Sequence, residues 1–185
     1  MVVVERAQPN DFLVLEALVE ATFIETWTGI VDEDHIRQHL DDGHARQVVE
    51  RYARCNNADV FVARKADVLV GYAIGSSPAD STDFSLPGFY KVDKLYLKSS
   101  FHGRGVGKQL WDAMVDSAKE SGAPGLYLTH YPGNARASSF YARQGLKKVG
   151  DTVYKCGNGD YSDWVLAAYW NELGSASDDR GVIAK

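Results

Sequence analysis

Three glycines within five residues, in His102-Gly103-Arg104-Gly105-Val106-Gly107-Lys108, constrain this chain more than any other feature. The run lies between a strand-like segment, Val92 to Leu97, and a segment from Val106 to Ala118 with helical spacing. A glycine turn that opens a helix leaves backbone N–H groups unpaired at the positive end of the helix dipole, which suits a phosphate. Arg104 and Lys108 add side-chain charge at the same place.

Two common nucleotide loops fail on spacing. A P-loop ending on Gly107-Lys108 needs Gly at position 102 and Ser or Thr after the lysine, where His102 and Gln109 stand. A dinucleotide fingerprint beginning at Gly103 or Gly105 requires its third glycine at Lys108 or Leu110. An ordinary glycine turn before a helix stays open on spacing alone.

The pattern predicts one mixed α/β domain. Val2 to Ala7 reads as a strand, and Gln8-Pro9-Asn10-Asp11 supplies turn and cap chemistry for a helix to about Thr26, with Phe12, Leu15, Leu18, Val19 and Phe23 on its apolar side. Helical stretches follow around Ile36 and Leu40 and around Val48, Val49 and Tyr52, broken at Asp41-Asp42-Gly43. The runs 59–64 and 68–75 form a hairpin, and 76–88 is loop-like. Phe89 to Leu97 is a strand, and Val106, Leu110, Met114 and Ala118 recur every fourth residue in the next helix. A short strand at 126–130 and a helix from Asn134 to about Gln144 follow, then a closing hairpin of Lys147–Cys156 and Tyr161–Tyr169 around Gly157 to Asp160. Residues 1–173 are expected to form the domain and 174–185 a mobile polar tail. The element order gives an α/β or α+β mixed sheet.

Composition excludes several functions. A net charge of −5 disfavours nucleic-acid binding, which calls for a basic stripe. Cys55 and Cys156 form no metal or disulfide pattern, and no run of about 18 apolar residues occurs, so a cytoplasmic protein without membrane or metal is expected. His35 and His39 lie one helical turn apart, but Ile36 stands where a zinc-protease motif has glutamate.

The run Val92-Asp93-Lys94-Leu95-Tyr96-Leu97, the loop Arg104-Gly105-Val106-Gly107 within a Gln/Arg-x-x-Gly-x-Gly pattern, and Asn134 followed by Ala137, Phe140, Tyr141 and Gly145 resemble the GNAT superfamily of acyl-CoA-dependent N-acetyltransferases over about residues 2 to 170. His102 replaces the usual Gln or Arg without changing the backbone N–H groups. Phe101-His102-Gly103 and Asn158 to Asp163 look most like the polyamine acetyltransferase branch. The resemblance implies a mostly antiparallel sheet, flanked by helices, that splays after its fourth strand to admit acetyl-CoA, with no metal. It implies that N–H groups from Gly103 to Lys108, including those of Arg104, Gly105, Val106 and Gly107, hold the pyrophosphate. The backbone of Leu95, Tyr96 and Leu97 would pair with the pantetheine arm, and an N–H near Leu95, if freed by a bulge, would meet the thioester oxygen.

Tyr141, two helical turns beyond Asn134, matches the tyrosine that protonates the departing thiolate; packing of Phe140 and Tyr141 as an aromatic pair is the alternative. Asn134 would fix the pantetheine or its own loop, and Arg143 would reach a phosphate or stay solvated. Strand alternation allows Asp93 to face the cleft as base or substrate contact, or to sit in a salt bridge. On the acceptor side, Trp27 lines the pocket or caps the core. Six acids between Glu25 and Asp42, opposed by Arg37 alone, draw in a cationic amine such as a polyamine or form a solvated face. The partner expected is a small-molecule amine, with a homodimer left open. The alternatives are a protein N-terminal or lysine acetyltransferase, which needs an open groove at 76–88, and a non-catalytic acyl-CoA sensor.

Overall fold

The computed structural model describes residues 1–77 and 86–173. The expected tail at 174–185, and most of the expected loop at 76–88, fall outside them. Seven strands form one sheet in the order β1 (Val2–Arg6), β2 (Ala58–Lys65), β3 (Val68–Ser76), β4 (Tyr90–Leu97), β5 (Gly125–His130), β7 (Gly159–Tyr169) and β6 (Lys147–Cys156). Only β4 and β5 run parallel; the rest of the ladder is antiparallel. The mixed, mostly antiparallel sheet expected from the sequence is what forms.

Helices cover both faces. On one, α4 (Val106–Glu120) buries Val106, Leu110, Met114 and Ala118 as its four-residue spacing demands, and adds Trp111. On the other, α1 (Phe12–Trp27) and α3 (His44–Ala53) pack Leu15, Leu18, Val19, Val48 and Tyr52 against Val60, Val62, Tyr72 and Ile74. Full burial of such side chains stabilises by about 1.5–3 kcal/mol each, before the entropy of ordering them. Between these helices lies α2 (Glu33–Asp41), capped by the Asp32 carboxylate, which accepts from the Asp34 and His35 N–H groups. Phe23, Val31, Ile36 and Cys156 join α1 and α2 to β6.

The closing hairpin is tighter than its sequence suggests. Cys156 pairs with Gly159, so Gly157 and Asn158 alone make the turn and β7 begins at Gly159 rather than Tyr161. The turn docks on α2, where the Asn158 N–H donates to Gln38 Oε1 at 3.1 Å.

The sheet opens at its centre. β4 and β5 share only the pairs Tyr90–Leu126 and Lys91–Tyr127, and beyond Lys91 they diverge. On its other edge β4 carries a bulge: Gly75 pairs with Val92 and Ile74 with Lys94, leaving Asp93 unmatched. The Tyr90 hydroxyl anchors the strand before the bulge by donating to Asp59 Oδ2 at 2.8 Å.

Candidate active site

The divergence of β4 from β5 creates a cavity of about 560 Å³. Its floor is the β4 edge from Val92 to Leu97, which has no strand partner on that side among the described residues. The turn at Gly103–Lys108 closes one end, α5 (Ala135–Arg143) one flank, and α1 with β6 and β7 the other.

The wall at the glycine turn is made largely of main chain. Gly105 caps α4 with φ +79°, a conformation that a side chain would strain. At Gly107, inside the first turn of α4, an added Cβ would meet no protein atom within 4 Å. The space in front of Gly107 is open, and the helix entrance there is of the kind that suits an anionic phosphate. His102 lines the same end and links two elements: its ring is bonded through Nε2 to the Leu97 carbonyl at 2.9 Å and through Nδ1 to Arg136 at 2.7 Å. Because guanidinium can only donate, Nδ1 is the acceptor and Nε2 carries the proton. Burial, followed by the nearby Arg136 charge, lowers the His102 pKa and favours this neutral tautomer.

Other predicted cofactor residues divide. Lys108, Phe140 and Arg143 line the cavity, with Lys108 ion-paired to Asp112. Arg104 is exposed, does not line the cavity, and lies over the Phe101 ring at 5.8 Å. Val106 turns its side chain into the core, as an apolar residue at the first helical position does, leaving its main chain to the turn. The Asn134 side chain caps α5 by accepting from the Ala137 N–H at 3.2 Å, so it fixes its own loop. Arg136, on the same helix, escaped sequence reading because a lone arginine beside a cap carries no pattern.

Tyr141 enters the cavity from α5, packed on the His130 ring at 5.5 Å and on Trp111 at 6.0 Å. The aromatic pair expected of Phe140 and Tyr141 forms, and Tyr141 also lines the opening. Burial raises its pKa, so the phenol keeps its proton. Asp93, at the bulge, is committed: Lys91 lies 3.1 Å from Oδ1 and the Ser76 hydroxyl donates to Oδ2 at 2.9 Å. The salt-bridge alternative describes its contacts, although it touches the cavity.

The opposite wall is aromatic. Trp27 lines it and donates from Nε1 to the Tyr96 hydroxyl at 3.3 Å. Tyr131, Tyr154 and Tyr161 complete it, and burial raises the Tyr96 pKa to about 12. None of the six acids between Glu25 and Asp42 lines the cavity. Glu25, read from sequence as a substrate contact, instead accepts from the Ser99 N–H at 2.6 Å, which lowers its pKa and braces the turn ahead of the glycines. Asp32 is spent on capping α2, and Asp34 pairs with Arg37.

Two charged residues that were not assigned a role from sequence both line this space and feel one another's charge. Lys94 follows the bulge on β4, and Asp163 lies on β7. Asp163 is 5% exposed, and Oδ1 has no hydrogen-bond partner. Burial raises its pKa to about 6, with the Lys94 charge opposing. Burial also lowers the Lys94 pKa, and its ammonium makes no ion pair among the described residues. The signal for Asp163 was an acid two residues before Val165, in phase with the buried Val165 and Ala167 of β7. Nearby, His39 and His44 stack at 4.1 Å beside Phe23, and burial holds His44 neutral by lowering its pKa to about 3. Among the described residues no cluster of three or more metal-ligating side chains occurs, and no helix is long and apolar enough to cross a membrane.

Comparison with known proteins agrees with this geometry. Residues 22–146 match the model of the acetyltransferase (GNAT) family. An uncharacterized N-acetyltransferase of Mycobacterium bovis is 28% identical over 152 residues, covering 82% of this chain and 93% of that protein. A second, from Lactobacillus delbrueckii subsp. lactis, is 31% identical over 80 residues, covering 43% of this chain and 46% of that one. Among solved structures, the PaiA N-acetyltransferase of Thermoplasma acidophilum in complex with coenzyme A superposes with a TM-score of 0.73 at 17% identity, covering 92% of this chain and 99% of that chain.

Proposed function

The chain belongs to the acetyltransferase (GNAT) family, and from that premise we propose that it moves the acetyl group of acetyl-CoA to the primary amine of a small molecule by direct attack, with Tyr141 as general acid. One observation carries this reading: the unpaired β4 edge runs from a bulge toward a helix entrance whose glycines leave open space, and Tyr141 lines the same cavity.

Acetyl-CoA supplies a thioester carbonyl and a thiolate leaving group. The N–H groups from Gly103 to Lys108 hold its pyrophosphate, with Arg136, fixed by His102, as a further phosphate contact. The β4 edge at Leu95–Leu97 pairs with the pantetheine amides as an added strand, and a main-chain N–H just past the bulge meets the carbonyl oxygen as charge grows there. Tyr141 gives its proton to the sulfur. The acceptor arrives as an ammonium and must first lose a proton. Asp93, occupied by Lys91 and Ser76, serves that step only through water, whereas the Asp163 carboxylate has an unpartnered oxygen.

A polyamine is the narrower form of this reading. Its charge argument loses the Glu25–Asp42 acids, and a polycation entering the cavity meets Lys94 as well as Asp163. A cytoplasmic location accords with two free thiols, Cys55 and Cys156. Thiol release from acetyl-CoA, followed against spermidine, arylalkylamines, amino acids and N-terminal peptides, tests the reading. Turnover of a small amine is expected. Turnover of peptides alone points to the protein-acetylating alternative, and coenzyme A binding without turnover of any acceptor points to a sensor.

A further inference from the structure

Behind the main cavity lies a smaller one of about 320 Å³, and Asp93, Lys94, Thr129, Tyr154 and Asp163 line both. Among the described residues only two buried side-chain polar atoms lack a hydrogen-bond partner, Tyr127 hydroxyl and Asp163 Oδ1, and both residues line this inner space. Their chemistry differs: a phenol that can donate or accept, and a carboxylate that must accept. Tyr127 is 1% exposed and Asp163 5%, so each unmet group destabilises the fold unless something fills the gap. Lys94 adds a cation without an ion-pair partner, while the other lysine there, Lys91, is neutralised by Asp93.

A ligand with an ammonium beside a carboxylate satisfies all three groups at once. We propose that the acceptor is an amino acid, its ammonium received by Asp163 at the junction of the two cavities and its carboxylate held by Lys94 and the Tyr127 hydroxyl in the inner one. A simple polyamine offers Lys94 no acceptor. The inference rests on the acetyltransferase reading above and assigns the acceptor class to that same site.

The protons balance. The ammonium gives one to Asp163, which later releases it to solvent. The neutral amine forms the new C–N bond as the C–S bond breaks. Tyr141 protonates the sulfur and is restored by the second proton leaving nitrogen, and the third stays on the amide.

The test compares matched pairs of acceptor: each common L-amino acid and L-ornithine against its decarboxylated amine, so that ornithine stands against putrescine and phenylalanine against phenethylamine. Thiol release and calorimetric binding to the enzyme–coenzyme A complex are both read. At least one amino acid is expected to exceed its amine by tenfold or more in kcat/KM. Tyr127→Phe, which preserves shape, should raise the KM of that amino acid about tenfold with little change for the amine. Lys94→Met should abolish the preference, and Lys94→Arg should restore part of it. Amines used as well as their amino acids, or Tyr127→Phe without effect because water alone fills the gap, overturns the proposal while acetyl transfer stands. Absence of thiol release with every acceptor overturns the transfer reading instead. Calorimetry still decides the acceptor class in that event, because amino-acid binding that Lys94→Met weakens supports it and no amino-acid binding ends it.

Discussion

The two walls of the cavity are built from different material. The cofactor wall is mostly main chain: a bulged strand edge, a glycine turn and the first N–H groups of α4, drawn from one stretch between Val92 and Lys108. The wall proposed for the acceptor is all side chain, assembled from α1, β4, β6 and β7. Main-chain recognition needs a particular backbone and therefore leaves glycines at fixed spacing. Side-chain recognition needs only that distant residues converge, and chain spacing does not record convergence.

The largest expected effect tests whether the walls meet at one reacting centre. Tyr141→Phe removes the hydroxyl and keeps the ring against His130 and Trp111. A fall in kcat of roughly 10²-fold or more is expected, with coenzyme A affinity nearly unchanged. The phenol's raised pKa leaves it protonated through neutral pH, so no tyrosine limb should appear in the rate profile there. Unchanged kcat at saturating substrates removes Tyr141 from the chemistry.

Asp163→Asn probes the acceptor wall. A carboxyl whose folded pKa is raised binds its proton more tightly in the native state, so its contribution favours folding below about pH 4 and is lost as pH climbs toward 6. The lift from 3.8 to about 6 corresponds to roughly 3 kcal/mol. The asparagine variant should therefore be more stable than the parent at pH 7 and equal to it near pH 3.5 in urea titrations, while acetylation at pH 7 falls. A residue whose removal raises stability and lowers activity is held for its chemistry. Loss of stability at pH 7 would instead mark Asp163 as a structural ion.

Gly107→Leu asks the reverse of the cofactor wall. Leucine is the better helix former by roughly 0.5–1 kcal/mol, and its Cβ meets no protein atom, so the thermal midpoint should hold or rise. Coenzyme A should bind about 10-fold to 100-fold more weakly, the loss of one charged hydrogen bond. Unaltered affinity would show that the phosphate lies elsewhere.

What could be read in advance follows the same division. The helices and strands were legible because apolar spacing is local: Val106, Leu110, Met114 and Ala118 needed no knowledge of the sheet. That Tyr141 lines the cavity was legible only through resemblance and its distance from Asn134. Glu25 misled because a charge run names no direction, and the Ser99 N–H that claims it is 74 residues away. Lys94 was hidden by the bulge, which breaks strand alternation at Asp93. Tyr127 was hidden because a tyrosine in an apolar strand is indistinguishable from core until its hydroxyl is seen to lack a partner.

The smallest effect separates the walls by acid response. His44 stacks on His39 against Phe23, and burial, joined by the Lys94 charge, keeps its pKa near 3. The unfolded chain takes up a proton there near pH 6.5 and the folded chain does not, so stability is lost as pH falls through that window. At pH 5.5 the loss is about 1.4 kcal/mol. His44→Leu should flatten the slope of stability between pH 7 and 5.5, and Gly107→Leu should leave it as in the parent, since no titrating group changes. Asp163 pushes stability the other way with pH, so a chain carrying both His44→Leu and Asp163→Asn should vary less across pH 4 to 7 than either single variant. An acid slope that survives His44→Leu intact would move its origin to His39, His102 or His130, whose pKa values burial also lowers, and the last two of these lie toward the cofactor.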